Sequence, residues 1–308
     1  MIIIFGGSGF LGSAISRHLQ ELKLDFRVVV RPQSNLLKLQ GIPIEKILLI
    51  PPEFWNRTVF DLMPEAVICA FWEGVEANLR DSLEIQMANV EKINLLAKAS
   101  IQSKVKSFMA FGSQAESESS DWPIVEQQLY NKDSAYSKAK SDLQIDLFEM
   151  FEACDTRFCW IRVFSVYGEG DSKNRLIPKI YKCATNDLIF KVHNAGLQWS
   201  YLHINDFVTA VSAIVSSSNL NGVVNIGNPK VSSIGEITDV TEKELLSLFP
   251  HWSGVSTHDK TFKLGKIPKT QKLFDIGWRP SISIEDGIRM TVEGLFRDSQ
   301  RGREVESQ

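Results

Sequence analysis

The chain has little of what would mark a disulfide-stapled, metal-binding or membrane-spanning protein. Its four cysteines, Cys69, Cys154, Cys159 and Cys183, form no C-x-x-C pair. That spacing argues against a thiol redox motif or zinc ribbon and leaves small buried thiols in a reducing compartment. The five histidines lack metal-ligand spacing, so no metal is expected, and His203 reads as structural. No apolar run approaches the ~20 residues of a membrane span. The start of the chain has no basic segment and no long apolar stretch, so a cytoplasmic protein without a membrane partner is expected. Charge is almost balanced: 34 Lys and Arg against 37 Asp and Glu give a net −3. The basic patch that a nucleic acid would require is missing.

What the chain does have is alternation. Ile2–Phe5 reads as a strand, and Leu11, Ala14, Ile15, Leu19 and Leu22 mark one face of the helix that follows. Further strands are expected at Phe26–Val30, 46–50, 66–70, 107–111 and 158–166, with long helices over 78–99 and 134–151. Short apolar strands alternating with helices predict an α/β fold, a doubly wound parallel sheet of Rossmann-like type. After Gly168 the pattern breaks into shorter pieces. We expect a first domain over 1–168 and a smaller C-terminal substrate lobe, mainly 169–296, with segments returning to the sheet. The tail 297–308 is polar, without periodicity, and is expected to fray.

The opening "MIIIFGGSGFLGSAI" places glycines at 6, 9 and 12 between that first strand and helix. Glycine tolerates positive φ and lets backbone N–H groups approach a phosphate closely. The helix N-terminus adds unpaired donors and the positive end of a dipole. Gly6, Gly9, Phe10, Leu11 and Gly12 are therefore the expected cradle for a dinucleotide pyrophosphate. At the end of the second strand, "VVVRPQSN" offers Arg31 and no nearby carboxylate. An acidic residue there would favour NAD, and an arginine favours a 2′-phosphate. NADP is the expected cofactor, with NAD as the alternative.

"DSAYSKAKSDL" sets Tyr136 and Lys140 four residues apart, hence one helical turn apart on one face. A phenol titrating near 10 is a poor acid–base group at neutral pH, and a neighbouring ammonium favours its phenolate. Lys138, two residues on, points elsewhere. Upstream, "MAFGSQAE" ends the fifth strand, at the edge where parallel sheets present ligand-facing residues. Ser113 there is placed to hydrogen-bond a substrate carbonyl beside Tyr136.

These segments, with "QMANVEKINLLAKA", "IRVFSVYGEGD", "YLHINDFVTA", "VVNIGN" and "LFDIGWRPSISIEDGI", resemble the extended short-chain dehydrogenase/reductase family, in its nucleotide-sugar branch. The resemblance spans almost the whole chain. It implies a hydride-transfer enzyme with Tyr136 as proton donor or acceptor. Lys140 would bind the nicotinamide ribose and depress the phenol's pKa, and Ser113 would orient the carbonyl. Family dehydratases carry an Asp-Glu pair just after the serine, where this chain has Gln114 and Ala115. Glu116 beyond them is expected to be solvated. The expected activity is reduction of a 4-keto-6-deoxyhexose on a nucleotide diphosphate. The alternatives are an epimerase holding NAD tightly and a non-catalytic NADP-sensing regulator.

For substrate contacts, Trp199 stands where many relatives have a diphosphate-binding arginine, and Asn174 and Arg175 are placed to replace it. Trp72 is expected to wall the sugar pocket. Relatives dimerise through two long helices, and Leu79, Leu83, Ile85 and Met87 with Leu143, Ile145, Leu147 and Met150 supply apolar side chains for such a homodimer.

Overall fold

A computed structural model describes residues 1–117, 123–127 and 133–306, with side chains described to residue 300. Most of the Ser/Glu-rich segment that follows Glu116 lies outside the described residues. Contact density divides the chain into two compact units. The first combines residues 1–163, 208–226 and 269–279, and the second combines 164–207, 227–268 and 280 onward.

The first unit is built on a seven-stranded parallel sheet. Its strands include β1 (Ile2–Phe5), β2 (Phe26–Val30), β3 (Ile47–Leu49), β4 (Ala66–Cys69), β5 (Ser107–Ser113) and β6 (Arg157–Val163). The seventh, Gly222–Ile226, pairs with β6, and the order across the sheet runs from it through β6, β5, β4, β1, β2 to β3. The inner strands are near-continuous apolar runs because helices cover both faces; every residue of β4 is buried. The order reverses at β1, whose Phe5 lies opposite Val29 on one side and Cys69 on the other. A reversal of this kind opens a crevice at the carboxyl ends of the strands.

Helices α1 (Phe10–Glu21), α2 (Trp55–Leu62), α3 (Leu83–Gln102) and α4 (Ala135–Glu152) follow β1, β3, β4 and β5. Ile93, Leu96 and Ala97 of α3 join Ala139, Leu143 and Leu147 of α4 and Val67, Phe108 and Trp160 of the sheet in one core. Leu143 and Leu147 are fully buried within the chain, so α4 does not spare them for a partner. On α3, by contrast, Leu83, Met87 and Leu95 stay exposed along one stripe.

Several boundaries differ from the sequence expectation. The helix expected from 78 begins at Leu83, and β5 runs two residues past 111 to carry Ser113 to the sheet edge. The strand expected over 158–166 stops at Val163, and Val166–Tyr167 pairs separately with Leu202–His203.

In the second unit, helix α5 (Leu176–Thr185) shares a core with Ile237 and Leu245 of helix Ile234–Leu248 and with Ile288 and Val292 of helix Ile284–Glu306. Strand Leu197–Ser200 pairs with Val231–Ser233 and Lys263–Leu264. The tail expected to fray continues this last helix to Glu306. Leu295 and Phe296 extend its apolar face, and the Tyr181 hydroxyl meets Ser299 Oγ at 2.8 Å. Arg297 pairs with Glu169 at 3.1 Å, and the Arg, Glu and Gln residues beyond propagate a helix readily once it is nucleated. No described helix is long and apolar enough to cross a membrane.

Candidate active site

The chain leaves β1 through a close-packed turn. Gly6 has φ +87°, a conformation that disfavours any side chain, and a Cβ on Gly12 would sit 2.4 Å from the Gly6 carbonyl oxygen. Gly9 is the N-cap of α1 and offers no side-chain cap, so the first-turn amides at Phe10, Leu11 and Gly12 have no capping side chain. Uncapped amides at the sheet's reversal point fit a dinucleotide pyrophosphate. The tight turn expected from the glycine spacing is present, with the start of α1 uncapped.

Arg31 is where the sequence puts it, directly after β2, but its surroundings are not those expected. Its Nη1 donates to Glu73 Oε1 at 2.6 Å, and Lys92 Nζ lies 3.9 Å from the same oxygen. The carboxylate that β2 lacks arrives from the loop after β4. Asn89 of α3 fixes that loop: its Oδ1 accepts the Glu73 N–H at 2.9 Å and its Nδ2 donates to the Glu73 carbonyl at 3.0 Å. The expectation of NADP rested on an arginine without an acidic neighbour, and that premise is corrected.

Tyr136 and Lys140 are both buried on α4, whereas Lys138 is exposed. Lys140 Nζ donates to the Phe111 carbonyl at 2.5 Å, which docks α4 against the end of β5, two residues before Ser113. The same Nζ lies 3.4 Å from the centroid of the Trp72 ring, a cation–π contact. Trp72 stands edge-on to Tyr136 at 6.0 Å and donates its indole N–H to Gln86 Oε1 at 2.7 Å. The expected sugar-pocket wall thus caps the lysine and borders the phenol. Over the Tyr136 ring lies the Arg80 guanidinium, 4.6 Å from the centroid. Nothing in the sequence around Arg80 signals that placement.

Burial pulls the Lys140 pKa down from 10.5 to about 7, against the raising influence of Glu116 and Cys69. The lysine therefore changes charge near neutrality. In the unfolded chain it titrates at its ordinary value, so between pH 7 and 10.5 unfolding takes up a proton and stability rises with pH. A Lys140→Met variant is expected to be more stable than wild type by roughly a few kcal/mol below neutrality. Thermal melts across pH should show the gap widest below pH 7 and closing by pH 10.5. A pH-independent gap would mean that burial does not perturb the lysine.

Glu116 departs most from expectation. Instead of being solvated, it is fully buried. Its Oε1 accepts from Trp160 Nε1 at 2.7 Å and from Arg162 Nε at 2.8 Å, and its Oε2 accepts the Ser113 N–H at 3.0 Å. Ser113 Oγ in turn accepts the Ala115 N–H at 3.2 Å, completing a capping box. The Ser113 hydroxyl is thus held at the strand end, with its own hydrogen donated to no described residue. Arg162 is also fully buried and reaches the Val125 carbonyl, Asn225 Oδ1 and Gln144 Oε1 at 3.2 to 3.4 Å. A signal was available: an arginine inside the apolar strand "FCWIRVF" requires a buried counter-ion.

The remaining expected residues belong to the second unit. Asn174 and Arg175 are exposed ahead of α5, with Arg175 as its N-cap. Trp199 lies against Gly265 and donates its indole N–H to Ser165 Oγ, so one ring face is used in packing. Burial lowers the His203 pKa to about 4, and its Nδ1 accepts the Asn205 N–H at 3.3 Å. No group of three or more potential metal ligands occurs among the described residues.

The profile of the NAD dependent epimerase/dehydratase family matches residues 2–227. A dTDP-D-glucose 4,6-dehydratase of Mus musculus is 21% identical over 99% of this chain and 91% of its own length. A putative UDP-glucose 4-epimerase of Methanocaldococcus jannaschii is 24% identical over 97% of this chain and all of its own. Among solved structures, a UDP-N-acetylglucosamine 4-epimerase of Methanobrevibacter ruminantium superposes with TM-score 0.83 at 18% identity, covering 96% of this chain and 98% of that one. The UDP-glucose 4-epimerase of Thermotoga maritima gives 0.81 at 18%, covering 97% and 99%. At such identities the superpositions show the fold, and the profile, which spans the glycine turn, Ser113, Tyr136 and Lys140, shows the family. The chain is an enzyme of the NAD dependent epimerase/dehydratase family.

Proposed function

We propose that this enzyme performs redox exchange at a hydroxyl-bearing carbon of a nucleotide-diphosphate sugar, with Tyr136 handling the proton. The observation that carries the reading is the buried Tyr136–Lys140 pair on α4, locked through Phe111 to the strand end that bears Ser113. When bound, the nicotinamide ring supplies the hydride chemistry that no side chain can. The chain's own residues do the rest. The Ser113 hydroxyl donates to the reacting sugar oxygen, and the Tyr136 phenol exchanges a proton with that oxygen. The Lys140 ammonium favours phenolate and holds the nicotinamide ribose. We assign the pyrophosphate to Gly6, Gly9, Phe10, Leu11 and Gly12. Asn174 and Arg175 would contact the sugar nucleotide, with Trp199 offering its second ring face and Trp72 bordering the sugar. Residues 1–168 would thus serve the dinucleotide and 169–296 mainly the substrate.

Elimination of water is disfavoured by the residues themselves. Gln114 and Ala115 carry no acid, and both Glu116 oxygens are engaged. Of the two remaining reactions, reduction of a 4-keto-6-deoxyhexose by NADPH leaned on an unpaired Arg31. The Arg31–Glu73 pair favours epimerisation with recycled NAD, which we place first, with the reductase second. A sensing role has no observation in its favour, since Tyr136 and Lys140 are both in position.

Purified protein is expected to retain dinucleotide through gel filtration and to interconvert C4 epimers of a nucleotide hexose without net cofactor consumption. Stoichiometric NADPH oxidation by a 4-keto-6-deoxy nucleotide sugar would establish the reductase instead. Failure with both substrate classes removes the proposal. Light scattering on the same sample should give twice the chain mass, with the α3 stripe of Leu83, Met87 and Leu95 at the interface of a homodimer.

A further inference from the structure

The strands β2 and β4 flank β1 on opposite sides, and the chain turns into Gly6 where β1 ends. Arg31 follows β2 and Glu73 follows β4 by four residues, so their ion pair spans from one neighbour of β1 to the other. Glu73 Oε1 serves both Arg31 and Lys92, while its Oε2 has no hydrogen-bond partner among the described residues. The Glu73 backbone is fixed independently by Asn89, so the carboxylate's location does not depend on its ion pairs. Both partners are about half exposed, at 42% and 49%, and so accessible to a ligand.

In a doubly wound sheet the adenosine ribose is read at the end of the second strand: a carboxylate there accepts from the ribose hydroxyls, and an arginine accommodates a 2′-phosphate. This chain has the arginine at that place and the carboxylate across the β1 turn, bonded to each other. From this geometry we infer that Glu73 sets the dinucleotide choice and makes the site select NAD against NADP. The inference rests on the proposed dinucleotide site at the α1 turn. Glu73 acts in two ways. It occupies Arg31 and Lys92, the two cations within reach, and its own charge repels a dianionic 2′-phosphate. Its open Oε2 is a natural acceptor for the 2′-hydroxyl of NAD. Removing the charge while keeping the shape releases both cations and reverses the field at that point.

The test is direct binding by calorimetry of NAD and NADP to the full chain, with no substrate and no turnover. Wild type is expected to bind NAD more tightly. Glu73→Gln should raise the NADP-to-NAD affinity ratio by about tenfold or more, the scale of removing one like charge a few ångströms from a phosphate. The gain should shrink at high salt, because the groups are exposed and screened. The double variant Glu73→Gln/Arg31→Gln should give back part of it, the share that the released Arg31 supplies. A wild type that prefers NADP or a ratio unmoved in Glu73→Gln overturns the inference while leaving the dinucleotide site standing. Wild type that binds neither dinucleotide removes both.

Discussion

Tyr136→Phe is expected to lower turnover about a thousandfold or more while leaving dinucleotide affinity within a few-fold of wild type. The magnitude follows from the role: a positioned acid–base group contributes roughly 10²–10⁴-fold, and the substitution removes the phenolic hydroxyl while keeping the ring. The ring itself should stay where it is. Trp72 meets it edge-on and Arg80 lies over its face, and both contacts are made with the aromatic system rather than the hydroxyl. A loss of kcat with cofactor binding intact would separate chemistry from folding. Single-turnover measurement with pre-bound cofactor gives the cleanest reading. Activity within tenfold of wild type would show that another group carries the proton.

Glu116→Ala is expected to have the largest effect on stability, about 3–5 kcal/mol, because it strands the Arg162 guanidinium in the core without a counter-ion. Both side chains are fully buried, and the carboxylate also satisfies the Trp160 indole and the Ser113 amide. Urea titration should show the loss as a lower midpoint. Replacing both partners by apolar residues, Glu116→Leu with Arg162→Met, should recover part of it, since the penalty lies in the orphaned charge more than in a missing attraction. A single variant that melts like wild type would mean that the carbonyls and amides around Arg162 hold it unaided. Catalysis should also suffer in Glu116→Ala, because Ser113 loses the acceptor that fixes its backbone at the strand end.

The fold was legible wherever the code is local. Strands β1 and β4 are uninterrupted apolar runs, β2 is broken only by Arg27, and the glycine turn announced its own geometry through the spacing of Gly6, Gly9 and Gly12. Tyr136 and Lys140 were readable because a helix converts a spacing of four into a shared face. The burial of Glu116 on Arg162 and the pairing of Arg31 with Glu73 were not legible for one reason: the partners lie 46 and 42 residues apart in sequence, and no periodicity encodes such a pairing. Leu143 and Leu147 looked available for a partner because a helix face packed on its own chain has the same pattern as one packed on another. The helical tail was hidden by polar composition, although Leu295 and Phe296 continue the apolar face.

The first unit is sewn from three stretches of chain, and this governs its biogenesis. Strand Gly222–Ile226 caps the open edge of β6 and brings Asn225, whose Oδ1 reaches Arg162 and whose Nδ2 donates to the carbonyls of Ile124 and Lys269. A nascent chain that has emerged only as far as α5 therefore carries a bare β-edge and an incompletely solvated interior cation. The sheet gains its last strand only when Gly222–Ile226 has left the ribosome, and the unit gains its last stretch only with residues 269–279. Nearly the entire polypeptide must be present before the first unit is whole, so this unit is not a module that can be detached by cutting the chain once.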